Sequence, residues 1–428
     1  MSTSQVTPLT AEDTVDVSIA SAPRDIGAVP DLLKDISGLW DKYDPAADRA
    51  TRLPLLEKAT ALAQALETPR ETMLKHVGAE TASFYTLTLG IEVGLFTELA
   101  KNGGSPKKSP ELSAALGFDI DGLRRILRHF AAMGHIVQTG SDEWKPNNFS
   151  KSLTIPIVNG GYPFYRSVCT APLLHMHKWM KTKGYPTPTT GKDNPFTFGN
   201  QTDQSMFEYM AAHPYLNDCF NHHMGGYRLG RPAWMDPTVY PVQDNLITNF
   251  DTSSSSSDPV FLIDIGGNYG HDLERFLDKW PSVPGRIMLQ DQQSVLDNVP
   301  ATLGGGRIEK FAHDFFTPQP VKGARAYYLH HILHDWPDDK CVEIVTNLKG
   351  AMTPGYSKLL VNEHVIPSVG ASWEATYLDL YMMFLFGARE RTEDDWKALL
   401  EGKCGLKIEK IWNPGNGVEG IIECIVEG

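Results

Sequence analysis

The residues whose types and spacing point to chemistry gather after residue 260. Asp264, Gly266, Gly267, Asn268 and Gly270 stand where the apolar run VFLIDI gives way to HDLERFLDKW. Glycines at such a turn let a ligand touch the backbone, and the carboxylate of Asp264 can meet a cationic ligand. The dinucleotide fingerprint G-x-G-x-x-G is not met, because counting from Gly266 its third and sixth positions are Asn268 and His271. The spacing follows D-x-G-x-G-x-G instead, with Asn268 in place of the middle glycine. Asparagine tolerates a left-handed backbone, so the turn can still form. Asp291, at the end of RIMLQD, is placed to accept hydrogen bonds from a ribose diol. Glycine-rich strand-to-helix turns also serve packing alone, so at this point both readings stand.

Other chemistry-bearing groups are less pointed. Histidines pair up as His175 and His177, His222 and His223, and His330 and His331, without the ligand set of a zinc site, and no metal is expected. Residues 150–235 are dense in aromatics and methionines, with Met176 and Met180 at helical spacing. Most of these fill a core, while a few, Met176 and Met180 among them, suit an apolar pocket for a planar organic ligand.

The elements that must position these groups come in two styles. From about residue 260 the chain alternates strand and helix: VFLIDIGG, RIMLQD, ARAYYL and KLLVNE read as strands, HDLERFLDKW and DDKCVEIVTNLKGAM as helices. That order implies an α/β domain on a mostly parallel sheet, with ligands at the carboxyl ends of its strands. The serine run at 253–257 reads as a solvated loop ahead of it. Upstream the pattern is helical. Leu55, Leu56, Ala59, Leu62, Ala63 and Leu66 form one helix face, TLGIEVGLFTELA another, a short helix runs from Pro110 to Gly117, and Asp121 precedes GLRRILRHFAAMG. HIVQTG and WKPNN complete a winged-helix order, and the opening segment to about residue 30 reads as a mobile tail.

Composition limits the partners. In 428 residues, 52 acidic against 39 basic side chains give a formal charge of -13, which disfavours nucleic acid despite Arg124, Arg125 and Arg128 on the longer helix. Five scattered cysteines argue for a reducing compartment, and neither a signal peptide nor a membrane span is expected, so the default is cytoplasmic. The expected division is residues 1–235 as a helical, winged-helix-like dimerisation and substrate-lining domain and residues 236–428 as the catalytic domain.

The stretches FLIDIGGNYGHDL, GRIMLQD, HDFFTPQPVKGARAYYLHHILHDWPDDKC, SKLLVNEHVIP and DLYMMFLFGARERTEDDW resemble, in order, the class I S-adenosylmethionine-dependent O-methyltransferases of the fungal and plant caffeic-acid type. The resemblance implies a Rossmann-like methyltransferase domain, an N-terminal dimerisation region, S-adenosyl-L-methionine as cofactor and a small aromatic substrate of secondary metabolism. It carries cofactor contacts to Asp264, Gly266, Gly267, Asp291, Asp314, Phe315 and His330, the last where plant members place a lysine. In LHHILHDW it puts the general base on His334, and it makes Glu363 and Glu390 the two carboxylates that hold the histidine ring. A neutral imidazole, with an ordinary pKa near 6.5, suits removal of a phenolic proton. Met382 and Met383 fall where the family grips its substrate, with core packing the equal alternative. Asp335 is read as a cap for the helix starting at Pro337. The histidine base separates the chain from the small magnesium-dependent catechol methyltransferases.

Two other functions compete. A methyltransferase-fold pericyclase or dehydratase would use the cofactor without consuming it, and a winged-helix regulator or inactive binding subunit would show a basic face or a broken turn.

Overall fold

The computed structural model describes residues 14–227, 229–251, 259–414 and 419–428. The serine run at 253–257 and the first part of the opening segment lie outside the described residues. The chain divides into two compact units, Met1–Ile155 and Pro156–Gly428. The boundary expected at 235/236 therefore falls inside the second unit.

In the first unit, part of the expected tail is built. Val17–Ser21 forms an exposed turn capped by Asp16, and Val29–Trp40 is a helix with proline in its first turn, where a missing N–H costs nothing. The Leu55 to Leu66 face belongs to helix Asp48–Leu66, which carries Pro54 inside it. TLGIEVGLFTELA spans two helices, Thr81–Glu92 and Leu95–Ala100, because Gly94 between them adopts φ +78°. Ser109–Leu116 stops at left-handed Gly117, and Ile120–Ala132 is capped by Asp119 rather than Asp121, through the Gly122 N–H at 2.8 Å. Strands Ile136–Gly140 and Glu143–Pro146 pair antiparallel, with Lys107–Lys108 on the far side of the latter. Arg124 on the longer helix is committed to Asp142 at 2.8 Å.

The second unit carries a seven-stranded sheet among the described residues: β1 Val260–Ile265, β2 Arg286–Asp291, β3 Ile308–Ala312, β4 Ala326–His330, β5 Lys358–Glu363, β6 Lys407–Trp412 and β7 Gly420–Ile425. Their spatial order is β6-β7-β5-β4-β1-β2-β3. The pairs from β3 to β5 are parallel, while β7 runs antiparallel to both β5 and β6. Strands covered on both faces need apolar residues at successive positions, and β1 is buried throughout. Neighbouring side chains point to opposite faces: Tyr327, Leu359 and Val361 join one core with Cys341, Val345 and Trp396, whereas Tyr328 and Leu360 join the other with Leu273, Phe276 and Trp234.

Residues 156–235 belong to this unit because their apolar side chains pack on the sheet or on the segment that follows β5. Trp234 lies against Phe276, with centroids 5.6 Å apart and planes at 5°, and against Tyr328 at 4.8 Å. Phe164, Val168, Phe196, Met206 and Met210 form a third core with Leu378, Leu385 and Phe386 from after β5. No helix among the described residues is long and apolar enough to cross a membrane.

Candidate active site

The glycine turn leaves β1 and enters helix His271–Lys279 at the carboxyl ends of the parallel strands. Gly266 and Gly270 take φ of +71° and +79°, and Asn268 takes +51°, the left-handed conformation its type tolerates. Side chains would not fit at the glycines. A Cβ on Gly266 would stand 2.6 Å from Ile332, and one on Gly267 would stand 2.5 Å from the Asp264 carboxyl group. Asp291, at the tip of β2, accepts the N–H groups of Asn268 at 2.8 Å and Gln292 at 2.7 Å. Burial pushes its carboxyl group above the usual range, and those two donors oppose the shift. With one donor on each oxygen, further lone pairs are open to hydroxyl groups.

This cradle fits an adenosyl cofactor: backbone free of side chains at the turn, a half-buried acid at the next strand tip, and the buried Asn268 Oδ1 without a hydrogen-bond partner. Asp314 and Phe315 follow β3. Asp314 accepts the Phe316 N–H at 3.0 Å, and the Phe315 ring lies 3.7 Å from where a Gly266 Cβ would be. Phe315 and Phe316 pack edge-on to Trp336. His330, at the tip of β4, turns its Nδ1 to Asp272 Oδ2 at 3.0 Å.

His334 lies in a short turn, Leu333–Asp335, beyond β4, and only 4% of it is exposed. Its Nδ1 meets Glu390 Oε1 at 2.6 Å. The two glutamates, expected to act alike, divide the work. Glu363, fully buried at the end of β5, uses Oε1 to accept the N–H groups of Ile332 at 3.0 Å, Leu333 at 2.8 Å and His334 at 3.4 Å, while its Oε2 stays 3.9 Å from the ring. Glu390 thus holds the ring and Glu363 holds the backbone beneath it. Glu390 is fixed in turn by its own N–H to Asp379 Oδ1 at 2.9 Å. Asp335 does not cap the following helix, Asp338–Lys349, which has no side-chain cap; its Oδ1 faces His334 Nε2 at 3.4 Å.

Burial alone would push the His334 ring toward its neutral form, but the carboxylates of Glu390, Asp335 and Glu363 outweigh it and raise the pKa to about 10. Burial likewise raises Asp335 to about 6 and lifts Glu363 above the usual carboxylate range.

Arg391 escaped the sequence reading, although it adjoins Glu390 in ARERT. It is fully buried and donates to the Leu333 carbonyl at 2.9 Å, the Trp336 carbonyl at 3.1 Å and Asp338 Oδ1 at 2.8 Å, clamping the histidine turn from behind. Tyr227, Arg231, His364 and Glu419 were missed too, since their sequence spacing carries no signal. Met382 packs in the third core, whereas Met383, Met176 and Met180 are not assigned to it, all three being half-buried. His330, His331 and Glu419 bring ligand-type atoms within 4.8 Å, as do His331, His334 and Glu363. The bonds to Asp272, Arg231 and the turn N–H groups engage these side chains, and we assign none of them to a metal.

A mostly parallel sheet with this strand order and this glycine turn defines a Rossmann-like methyltransferase domain. Residues 235–405 match the family model of the O-methyltransferase domain. The chain is 34% identical over 384 residues, 90% of its length and 92% of the relative's, to methyltransferase cfoC of Aspergillus candidus. It is 33% identical over 393 residues, 92% of this chain and 97% of the other, to O-methyltransferase mpaG of Penicillium brevicompactum. Two solved structures are similar throughout. LepI in complex with SAM has a TM-score of 0.81 at 28% identity, covering 94% of this chain and 99% of that one. A structure described as a pericyclic reaction enzyme has a TM-score of 0.82 at 28% identity, covering 93% of this chain and 100% of that one. The chain belongs to the O-methyltransferase family, as a class I enzyme that uses S-adenosylmethionine.

The division between the glutamates has a measurable consequence. Glu363→Ala leaves three N–H groups, two of them buried, without an acceptor and should destabilise the protein by roughly 2 to 4 kcal/mol, while Glu363→Gln, which keeps an acceptor oxygen, should cost less than half of that. Chemical denaturation of the two variants checks the order.

Proposed function

We propose that this enzyme methylates a phenolic or enolic hydroxyl of an aromatic or polyketide-type secondary metabolite, with His334 as the general base. The observation that carries the reading is the 2.6 Å contact from His334 Nδ1 to Glu390, on a turn whose N–H groups Glu363 holds. With Nδ1 engaged by Glu390, Nε2, which faces Asp335 Oδ1 at 3.4 Å, is the nitrogen that takes the substrate's proton once the ring is deprotonated. A phenol has a reference pKa near 10, and the carboxylates around His334 hold its ring above the ordinary histidine value, which makes it a stronger base toward such a hydroxyl. Glu390 then stabilises the imidazolium. The bound cofactor supplies an electrophilic methyl group on a positively charged sulfur.

Gly266, Gly267 and Asn268 would bring backbone to the cofactor, Asp291 would hold its ribose, and Asp314 with Phe315 would border the adenine. Asp264 and His330 would face its amino-acid end. Met176, Met180 and Met383 would line the substrate side, with Met382 packed behind. Asp291→Ala should weaken S-adenosylhomocysteine binding by roughly 1.5 to 3 kcal/mol, the loss of a charge-assisted bond. Unchanged affinity by calorimetry sinks that assignment.

We further propose a homodimer formed by the first unit, in the cytoplasm. Trp40, Leu56, Leu66 and Val77 are all exposed there, more apolar surface than a small helical unit usually leaves to water. The five cysteines are buried and free. Light scattering at micromolar concentration should give twice the 47.4 kDa chain mass, and a monomer would refute the dimer.

One further reading is favoured by a specific likeness, the structure described as a pericyclic reaction enzyme. Product stoichiometry separates the two. With labelled S-adenosylmethionine and a panel of phenols, one S-adenosylhomocysteine released per labelled product supports methyl transfer, and turnover without release overturns it. His334→Ala should slow product formation roughly 100- to 10,000-fold with cofactor affinity nearly unchanged. Because the raised ring must be deprotonated overall, wild-type kcat/KM should climb with pH through the neutral range, with its acid limb above 6.5, and Glu390→Gln should move that limb down.

A further inference from the structure

Beside His334 stands a second histidine with a glutamate of its own. His331 Nε2 lies 3.4 Å from Glu419 Oε1, and both side chains are more than nine-tenths buried. The rings of His331 and His334 meet edge to face, with centroids 4.6 Å apart. His331 holds φ at +51°, a left-handed backbone that is costly for a ring side chain and persists where its surroundings fix it. The other ionisable groups against it are His330 at 4.6 Å, Tyr227 at 5.3 Å and His364 at 5.5 Å, and Tyr227 shares a hydrogen bond with His364 at 3.2 Å.

Two imidazole–carboxylate pairs at the same depth raise the question of which one carries the proton. Both cannot do so cheaply, since two imidazolium rings at this separation repel in a poorly solvated site. The pairs differ in what else the carboxylate holds. Among the described residues Glu390 has no lysine or arginine partner, so its charge acts on His334. Glu419 accepts Arg231 Nη1 at 2.7 Å, while Arg231 Nη2 reaches Glu374 at 3.0 Å and the guanidinium lies 4.7 Å from the centre of the Tyr227 ring. The Arg231 side chain is 9% exposed, so little water screens this pair.

We propose that Arg231 is a positioning residue of the proton-handling site: by occupying Glu419 it leaves His331 as an uncharged wall beside the base and reserves the proton for His334. The catalytic consequence rests on His334 acting as base, whereas the contact of Arg231 with Glu419 beside His331 stands independently of that reading. The directions at the two rings agree with it. Burial pushes His331 well below the usual histidine value and outweighs Glu419, while at His334 the carboxylates outweigh burial. Removing the guanidinium frees the Glu419 charge to draw a proton onto His331, which then disfavours one on His334.

The test is nitrogen NMR of the full-length protein labelled with ¹⁵N in its histidine rings, with the two signals assigned through His331→Gln and His334→Gln. In the wild type at neutral pH, His331 should be neutral and His334 protonated. Arg231→Met should raise the His331 midpoint by roughly 1 to 3 pH units and lower that of His334. Arg231→Lys, which keeps the charge, should restore the wild-type order even if it is less stable, an outcome that a purely structural role does not produce. A protonated His331 in the wild type, or a His331 midpoint unmoved in Arg231→Met, overturns the proposal. If Arg231→Met does not fold, the wild-type spectrum still decides the first point and Glu419→Gln the second: without that carboxylate His331 should remain neutral, and its protonation would overturn the proposal. Absence of methylated product would refute the base reading and leave these spectra standing.

Discussion

An imidazole and a carboxylate 2.6 Å apart, both almost wholly out of water, set the terms for the rest of the second unit. Burying such a pair is expensive unless its geometry is fixed and the surrounding polar groups are satisfied. The fixing comes from three directions. Glu363 gathers the N–H groups of the turn, Arg391 gathers its carbonyls, and Asp379 anchors Glu390 through the backbone. Arg391 also ties Asp338 at the start of the following helix, so the turn is held at both ends. The histidine is thereby positioned by main-chain hydrogen bonds more than by side-chain packing.

The sheet explains why these groups can meet at all. His334 follows β4 and Glu363 ends β5, two adjacent parallel strands, so both arrive at the same edge of the sheet. Glu390 comes from much further along, yet Arg391–Thr392 pairs in parallel with Val365–Ile366 just beyond β5, which brings it to the same place. The glycine turn leaves the neighbouring β1 at that edge too. Parallel order thus concentrates the glycine turn and the histidine–glutamate pair on one side, the usual location for ligands in such sheets.

Much of this was legible in the sequence because it is local or periodic. The limits of β2 and β5 follow from RIMLQD and KLLVNE, largely apolar runs ending in an acid, and the left-handed turn at Asn268 follows from residue type. What was not legible depends on distance along the chain. Helix Val29–Trp40 went unread even though Leu32, Leu33, Ile36, Leu39 and Trp40 recur at helical spacing, whereas the allegiance of residues 156–235 is decided by contacts such as Trp234 on Tyr328. The roles of Glu363 and Glu390 read alike from motif matching, because a motif names a carboxylate without saying which hydrogens it accepts. Arg231 and Glu419 meet across 188 positions, a pairing with no trace in local spacing.

Asn268 gives the turn a character of its own. Its N–H is tied to Asp291 at 2.8 Å and its amide reaches Asn221 Oδ1 at 3.5 Å, so the segment is anchored both to the sheet and to helix Pro214–Gly226. Glycine at that position would sample many more backbone states before folding and between binding events. An asparagine held in the required conformation has surrendered that freedom already, so less entropy remains to be lost when a ligand settles on the turn. Association at this site should therefore be less opposed by entropy, and its complexes longer-lived, than at an otherwise identical turn built from glycine alone.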